Sequence, residues 1–187
     1  RLVTKSDGET LQIGKNRKLT FYDTPGHAKH HFSIHDSESN GIFTGDTIGI
    51  LYPVYLQDGK QLVLPSTSPN HFDDLAMTES MNRIKNRNVN RIYFGHYGMS
   101  LHPENVYEQM EYWLPRFVQT GERVYKENRS GNVMELTSMI AERLTADVKT
   151  YLINEGISEH DEVFQYLQLD MQVCAMGILD ALSKKNK

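Results

Sequence analysis

The chain has 187 residues, a mass of 21.5 kDa and a formal net charge of −4, enough for one domain with an appendage. Its basic residues are scattered and no apolar run approaches a membrane span, so we expect no nucleic-acid or membrane partner. The single cysteine, Cys174, excludes an intrachain disulfide and fits a reducing, cytoplasmic compartment.

Short strands separated by turns are predicted for the first half of the chain. Apolar residues alternate or cluster there between glycine, aspartate and asparagine residues. The predicted strands are residues 11–13, 19–22, 31–35 and 41–44. Ser39-Asn40-Gly41 predicts a hairpin between the last two, with residues 36–40 as its loop. Residues 48–69 contain three prolines and no sustained period, so we predict a long loop with at most a short strand at 62–64.

Helices are predicted for most of the second half. The predicted helices are residues 73–87, Pro103 to the turn at Ser130-Gly131-Asn132, 134–153 and 159–182. A buried strand at 89–94 follows the first of them. Asp73 and Asp74 open that helix, where carboxylates favour the helix dipole, so we assign them to capping rather than catalysis. Gly156 is a predicted C′ residue and Ser158 the predicted N-cap of the last helix.

Three side chains of metal-binding type follow predicted strand ends. They stand in Thr24-Pro25-Gly26-His27, in Gly45-Asp46-Thr47 and in Gly95-His96. Nitrogen and oxygen donors of this kind bind zinc, iron or manganese, and a carboxylate can bridge two ions. Each has a glycine beside it, which allows a sharp turn and a close approach to an ion. A single glycine followed by histidine or aspartate at a strand end is more often a turn. All three segments in this order indicate a metal site.

These segments resemble the metallo-β-lactamase superfamily, specifically its glyoxalase II-like and lactonase-like hydrolases, over residues 11–98. The resemblance implies that His27 binds the first metal, that Asp46 bridges both metals as the catalytic carboxylate, and that His96 binds the second. It also implies an α+β fold, the αββα sandwich of two similar halves. The C-terminal half would be residues 1–129, and residues 130–187 would be a helical extension.

One family motif is missing from the chain. In the family, His-x-His-x-Asp-His lies upstream of the Thr-Pro-Gly-His turn and supplies the remaining ligands, but none of the eight histidines here forms it. The sequence begins with Arg1 rather than methionine, which we interpret as a start inside a longer gene product. His31 shares a predicted polar strand face with Ser33 and His35, which we expect to face solvent or a neighbouring element. The resemblance also leaves open that His31 supports a ligand from behind.

The resemblance implies a metal-dependent hydrolase that acts on a small ester, thioester or lactone through a metal-bound hydroxide. The implied cofactor is zinc, as two ions, with iron or manganese as alternatives. Two other functions remain open: a mononuclear-iron sulfur dioxygenase of the same fold, and a non-catalytic binding or dimerisation module. Tyr52, Tyr55 and Tyr97 flank the predicted site, where substrate contact and aromatic packing are equally open. Apolar stripes on the last three helices indicate core or a homodimer surface, and this chain alone is expected to be inactive.

Overall fold

The computed structural model describes residues 3–185, in which eight strands and four helices follow one another. The strands are β1 (Thr10–Ile13), β2 (Arg17–Asp23), β3 (Phe32–Asp36), β4 (Gly41–Gly45), β5 (Ile50–Tyr55), β6 (Gln61–Leu64), β7 (Arg91–Phe94) and β8 (Met99–Ser100). The helices are α1 (Asp74–Lys85), α2 (Pro103–Glu127), α3 (Val133–Asn154) and α4 (Val163–Lys185). No helix in this range is both long and apolar enough to cross a membrane.

Six strands form one mixed sheet in the order β1-β2-β3-β4-β7-β8. Its neighbouring strands are antiparallel except β4 and β7, which are parallel. Because β2 and β4 are each antiparallel to β3, both run in the same direction as β7. The carboxyl ends of β2, β4 and β7 therefore meet at one edge of the sheet.

The two faces of this sheet have different surroundings. The strand register aligns Phe21, Ile34, Phe43, Tyr93 and Met99 in a row across five strands. The next row contains Ile42 and Ile92, which are fully buried in the hydrophobic core, whereas Phe43 and Met99 are exposed. An apolar sheet face open on one side is what half of a sheet-on-sheet sandwich presents, which agrees with the predicted α+β half-fold.

Helix α2 joins the strands to the other helices. It contacts β6, which pairs with β5 in a separate two-stranded sheet, as well as α3 and α4. Its buried side chains, among them Met110, Trp113 and Phe117, belong to the same hydrophobic core as the sheet residues. One continuous core therefore runs from the sheet into the helical part of the chain.

The prediction of a long loop over residues 48–69 is wrong. Strands β5 and β6 form an antiparallel hairpin there, and only the segment at 62–64 was anticipated. Pro53 obscured the strand signal, because proline removes a ladder hydrogen bond. The register of the hairpin shifts between Tyr52 and Tyr55, and Pro53 lies exposed in this irregular stretch, where a missing N–H is tolerated.

Hydrogen bonds and backbone conformations at the helix ends test the predicted capping residues. Asp73 is the N-cap of α1 and its carboxylate accepts from the Ala76 N–H, which confirms capping. Gly156 follows the end of α3 with φ +83°, as a C′ glycine does. The predicted start of the last helix at residue 159 is wrong: α4 begins at Val163, whose N–H donates to the Asp161 carboxylate rather than to Ser158. Asp161, two residues away, therefore accepts from the first helical N–H in place of the serine.

The carboxylate of Asp36, at the end of β3, is buried and connects the hairpin loop to β2. Arg17 donates to its two oxygens from Nε at 2.9 Å and from Nη2 at 3.0 Å, and the Ser39 hydroxyl donates at 2.8 Å. Burial by itself would raise the pKa of Asp36, but these hydrogen bonds outweigh burial and lower the pKa to about 2.

Stability is therefore expected to fall in acid through Asp36. A carboxyl whose folded-state pKa lies below its unfolded value of 3.8 stabilises fully above that value, and the contribution is lost as the pH falls to about 2. The loss should be roughly 2 kcal/mol. Urea unfolding of the wild-type chain and Asp36→Asn measures it: the wild type's advantage at neutral pH should shrink at about pH 2. A difference that does not change with pH would contradict the assignment.

Candidate metal centre

The sheet edge where β2, β4 and β7 end carries the three predicted ligands. His27 follows β2, Asp46 follows β4 and His96 follows β7. Nε2 of His27 lies 3.8 Å from Oδ2 of Asp46, and Nε2 of His96 lies 3.5 Å from Oδ1. The structure thus brings all three side chains together, with one imidazole facing each oxygen of the carboxylate.

The turn that carries His27 is held by hydrogen bonds to its backbone. The Thr47 hydroxyl donates to the Thr24 carbonyl at 2.8 Å, and the Ser80 hydroxyl of α1 donates to the Pro25 carbonyl at 2.6 Å. The backbone N–H of Asp73 donates to the Gly26 carbonyl at 2.9 Å. Helix α1 and the loop that carries Asp46 therefore jointly fix the position of the backbone from which the His27 side chain extends.

The imidazole of His27 is oriented by a backbone carbonyl. Its Nδ1 lies 3.0 Å from the Ser66 carbonyl oxygen, in the segment after β6. Because a carbonyl only accepts, Nδ1 carries the proton and donates. The lone pair of Nε2 then faces Asp46, which is the tautomer that a metal-binding histidine requires.

Asp46 has one carboxylate oxygen without a hydrogen bond. Its Oδ1 is buried and has no hydrogen-bond partner in the part of the chain that the structure describes. A Cβ placed on Gly95 would lie 2.6 Å from this oxygen, so only glycine leaves room for it. An unpaired buried carboxylate oxygen is costly, and a cation is the partner that would offset the cost best.

The loop that carries His96 is anchored at one end and strained at the other. The Gly95 N–H donates to the Gly45 carbonyl at 3.2 Å, which joins the His96 loop to the Asp46 loop. Tyr97 has φ +63°, a left-handed conformation that is rare for a bulky side chain. The His96 side chain is 55% exposed, so this edge is open to solvent.

His31 supports the loop that carries Asp46. Nε2 of His31 lies 3.1 Å from the Asp46 backbone nitrogen and 3.2 Å from the Thr44 carbonyl oxygen, and the Asp46 N–H donates to it when the His31 proton is on Nδ1. Burial, followed by the nearby His27, lowers the pKa of His31 and so favours the neutral imidazole. His31 therefore positions Asp46 from behind, through its backbone.

Helix α4 reaches the same edge, which the sequence patterns did not indicate. The Tyr52 hydroxyl of β5 donates to Oδ2 of Asp170 at 2.6 Å, and the Tyr52 ring centroid lies 6.1 Å from that of Tyr97. Tyr97 in turn lies 6.3 Å from Tyr166 of α4. Tyr52 is buried, whereas Tyr97, which lies beside His96, and Tyr166 are exposed. No local signal could reveal the Tyr52–Asp170 pair, whose members are 118 positions apart.

Comparison with known proteins assigns the family. The family model described as the metallo-beta-lactamase superfamily matches residues 2–96, a stretch that contains His27, Asp46 and His96. The chain belongs to the metallo-beta-lactamase superfamily. This confirms the superfamily expected from the sequence, while the glyoxalase II-like and lactonase-like subdivision is finer than the match.

Solved structures of the superfamily share the fold. An archaeal superfamily protein from Sulfolobus tokodaii is 20% identical with a TM-score of 0.55, and the match covers 94% of this chain and 51% of that one. A metallo-beta-lactamase family protein from Thermus thermophilus is 17% identical with a TM-score of 0.60, and the match covers 100% of this chain and 50% of that one. The chain thus spans about half the length of these proteins. A comparison with curated proteins found no match.

The residues of this edge fit the divalent metals that the superfamily generally binds. The fit rests on the unpaired Oδ1 of Asp46, on the Nε2 lone pair of His27 and on a donor set of two imidazoles and one carboxylate. Within residues 3–185, however, no group of three His, Cys, Asp or Glu side chains, His27, Asp46 and His96 included, is spaced to hold a metal ion by itself. The edge has suitable donors, but not a finished coordination shell.

Proposed function

We propose that this chain provides one half of the centre of a metal-dependent hydrolase, in which His27, Asp46 and His96 bind metal. The observation that carries the proposal is the Asp46 carboxylate, which faces a histidine Nε2 on each side and keeps Oδ1 buried without a hydrogen bond. Two zinc ions are the proposed cofactor, with iron or manganese as alternatives.

Each residue has a separate role in this proposal. His27 presents Nε2 because the Ser66 carbonyl holds its Nδ1 proton, and Asp46 offers one oxygen toward each histidine. His96 binds from the solvent-open side. When bound, such ions polarise a carbonyl and make water a nucleophile at neutral pH. No protein nucleophile is needed: Cys174 is buried in α4, where burial raises the pKa of its thiol.

The proposed substrate is a small ester, thioester or lactone. Its carbonyl would lie at the open edge beside His96, where the exposed rings of Tyr97 and Tyr166 offer apolar surface to the rest of the molecule. The class of substrate comes from the family resemblance, and the tyrosines support a substrate with an apolar group.

The proposal is tested by comparing two proteins. With three donors the chain supplies at most two ligands to each ion, because Asp46 is shared, whereas catalytic zinc sites take three. The isolated chain should bind zinc weakly and hydrolyse nothing. The chain joined to a segment that bears His-x-His-x-Asp-His should bind two equivalents and hydrolyse a thioester or lactone.

Metal analysis and an ester-hydrolysis assay on both proteins decide between the functions. Full activity of the isolated chain would refute the proposal that its metal site is incomplete. One iron per joined chain, with oxygen uptake and no hydrolysis, would assign the sulfur dioxygenase function instead. If the joined chain binds no metal, the result would favour a non-catalytic binding or dimerisation module.

A homodimer is also proposed, through the outer side of α3 and α4. Val133, Met134 and Leu169 are exposed there, and a groove of about 780 Å³ separates the start of α3 from α4. Light scattering at micromolar concentration should give twice the mass of one chain. The double variant Met134→Glu, Leu169→Glu should give a monomer, and Leu75→Glu, at an exposed leucine of α1, should not. A monomeric wild type would refute the dimer.

A further inference from the structure

Helix α4 is linked to the metal centre by the chain between β6 and α1. This connecting segment, residues 65–73, contains no helix or strand, yet its first three residues are buried. It contacts the His27 turn near both of its ends. The Ser66 carbonyl oxygen lies 3.0 Å from Nδ1 of His27, and the Asp73 N–H donates to the Gly26 carbonyl at 2.9 Å. The surroundings of His27 therefore depend on where this segment lies.

On its other side the connecting segment is bonded to α4 at Cys174. The Thr67 hydroxyl donates to the Cys174 carbonyl at 2.8 Å, and the Cys174 thiol donates to the Pro65 carbonyl at 3.4 Å. Both hydrogen bonds are buried. The two neighbours of Ser66 are thus bonded to one residue of the helix, while the carbonyl between them faces His27.

A glycine lets the connecting segment lie directly on the helix. A Cβ on Gly177, one turn after Cys174, would overlap the Thr67 carbonyl oxygen and would lie 2.8 Å from the carbonyl carbon of Ser68. A side chain at this position would therefore push the segment away from α4. Glycine inside a helix is otherwise unfavourable, so this close approach accounts for its presence.

Two further hydrogen bonds continue the attachment along α4. The Asn70 N–H donates to Oδ2 of Asp180 at 3.1 Å, and Nζ of Lys184 donates to the Asn70 carbonyl at 2.8 Å. Cys174, Gly177, Asp180 and Lys184 follow one another at steps of three or four residues, so they lie on one face of the helix. One face of α4 therefore carries the first part of the connecting segment.

We infer that Thr67 and Gly177 are positioning residues for His27. Through the connecting segment they hold the Ser66 carbonyl where it keeps the imidazole proton on Nδ1, so that Nε2 keeps its lone pair. The role of this lone pair in metal binding rests on the function proposed above, whereas the place of the proton is a property of the chain itself. Groups that orient a histidine ligand in this way typically contribute roughly tenfold or more to metal affinity.

The place of the proton is measured on the metal-free chain. With EDTA present at roughly pH 8, where histidine is ordinarily neutral, NMR of the labelled imidazole nitrogens separates the two tautomers, and His27→Gln identifies the His27 signals. The wild type should carry the proton on Nδ1. Thr67→Val keeps the side-chain shape but loses the donor, so the ratio of Nδ1–H to Nε2–H should fall roughly fivefold. Without EDTA, this variant should bind zinc roughly tenfold more weakly than the wild type.

Matched variants separate positioning from stability. Thr137→Val removes a hydroxyl-to-carbonyl bond of the same 2.8 Å length within α3, and Gly121→Ala places a methyl group against other side chains of α4. Both should destabilise the chain without moving the His27 proton. Gly177→Ala should move the proton, and Thr67→Ser, which keeps the hydroxyl, should not.

The outcomes distinguish this inference from the proposed function. A wild-type proton on Nε2 of His27, or a ratio that Thr67→Val leaves unchanged, overturns the positioning role. If Gly177→Ala does not fold, Thr67→Val decides alone. A shifted proton together with no zinc binding by the wild-type chain would refute the proposed metal centre and would leave the positioning of His27 established.

Discussion

Replacement of Asp46 by alanine is expected to remove one of two bound metal ions, and with it the hydrolytic activity, in the protein that carries the complete ligand set. Asp46 is the residue that faces both histidines, with its two oxygens 3.8 and 3.5 Å from their Nε2 atoms. Its loss removes a shared ligand from both ions. The rate should fall by at least roughly 10²–10³-fold, as when a group that organises the transition state is lost.

Metal content after gel filtration and hydrolysis of a thioester measure the two effects. Asp58→Ala removes a carboxylate from an exposed turn after β5 and should change neither quantity. Asp46→Asn keeps the shape of the side chain but removes its charge, and should resemble Asp46→Ala if charge is what binds the metal. Two equivalents of metal and full activity in Asp46→Ala would refute the proposed centre.

Replacement of Gly26 by alanine is expected to destabilise the fold more than any other single methyl addition at the metal edge. Gly26 has φ +139°, which side-chain-bearing residues rarely adopt, and a Cβ there would overlap the backbone of Met77 in α1. Backbone strain alone costs about 1–3 kcal/mol. The overlap forces α1 away from the turn, so the total should exceed about 4 kcal/mol.

Gly98→Ala separates the two contributions. Gly98 has a similar φ of +124°, but nothing lies within 4 Å of the position of its Cβ. It should therefore show the strain without the overlap, at about 1–3 kcal/mol. Urea unfolding of both variants measures the difference. Equal losses would mean that α1 does not press on the turn as the structure indicates.

Much of the sheet edge that carries His27, Asp46 and His96 could be predicted, because the sequence patterns that indicate it are local. Each ligand follows an apolar strand and stands beside a glycine, and a strand must end where glycine lets the chain turn. The parallel direction of β2, β4 and β7 then follows from short hairpin and crossover connections. The same locality explains why Asp73 was identified as a cap: its partner, Ala76, is three residues away.

The errors arose where a general rule met an exception in this chain. Pro53 predicted a loop, yet an irregular hairpin tolerates a missing N–H at that position. Ser158 had the spacing of an N-cap, yet Asp161 lies closer to the first helical N–H and accepts from it. Both cases depend on hydrogen bonds that a sequence pattern does not specify.

By itself the sequence determined the strands that carry His27, Asp46 and His96, the helical second half and the superfamily, because those features are written in residues close together in the chain. Only the tertiary structure decided how the site is supported. The Ser66 carbonyl that orients His27 is 39 positions away, and Asp170 is 118 positions from the Tyr52 hydroxyl that it accepts from. Contacts across such separations are set by packing and not by any local pattern, which is why the sequence alone could not reveal them.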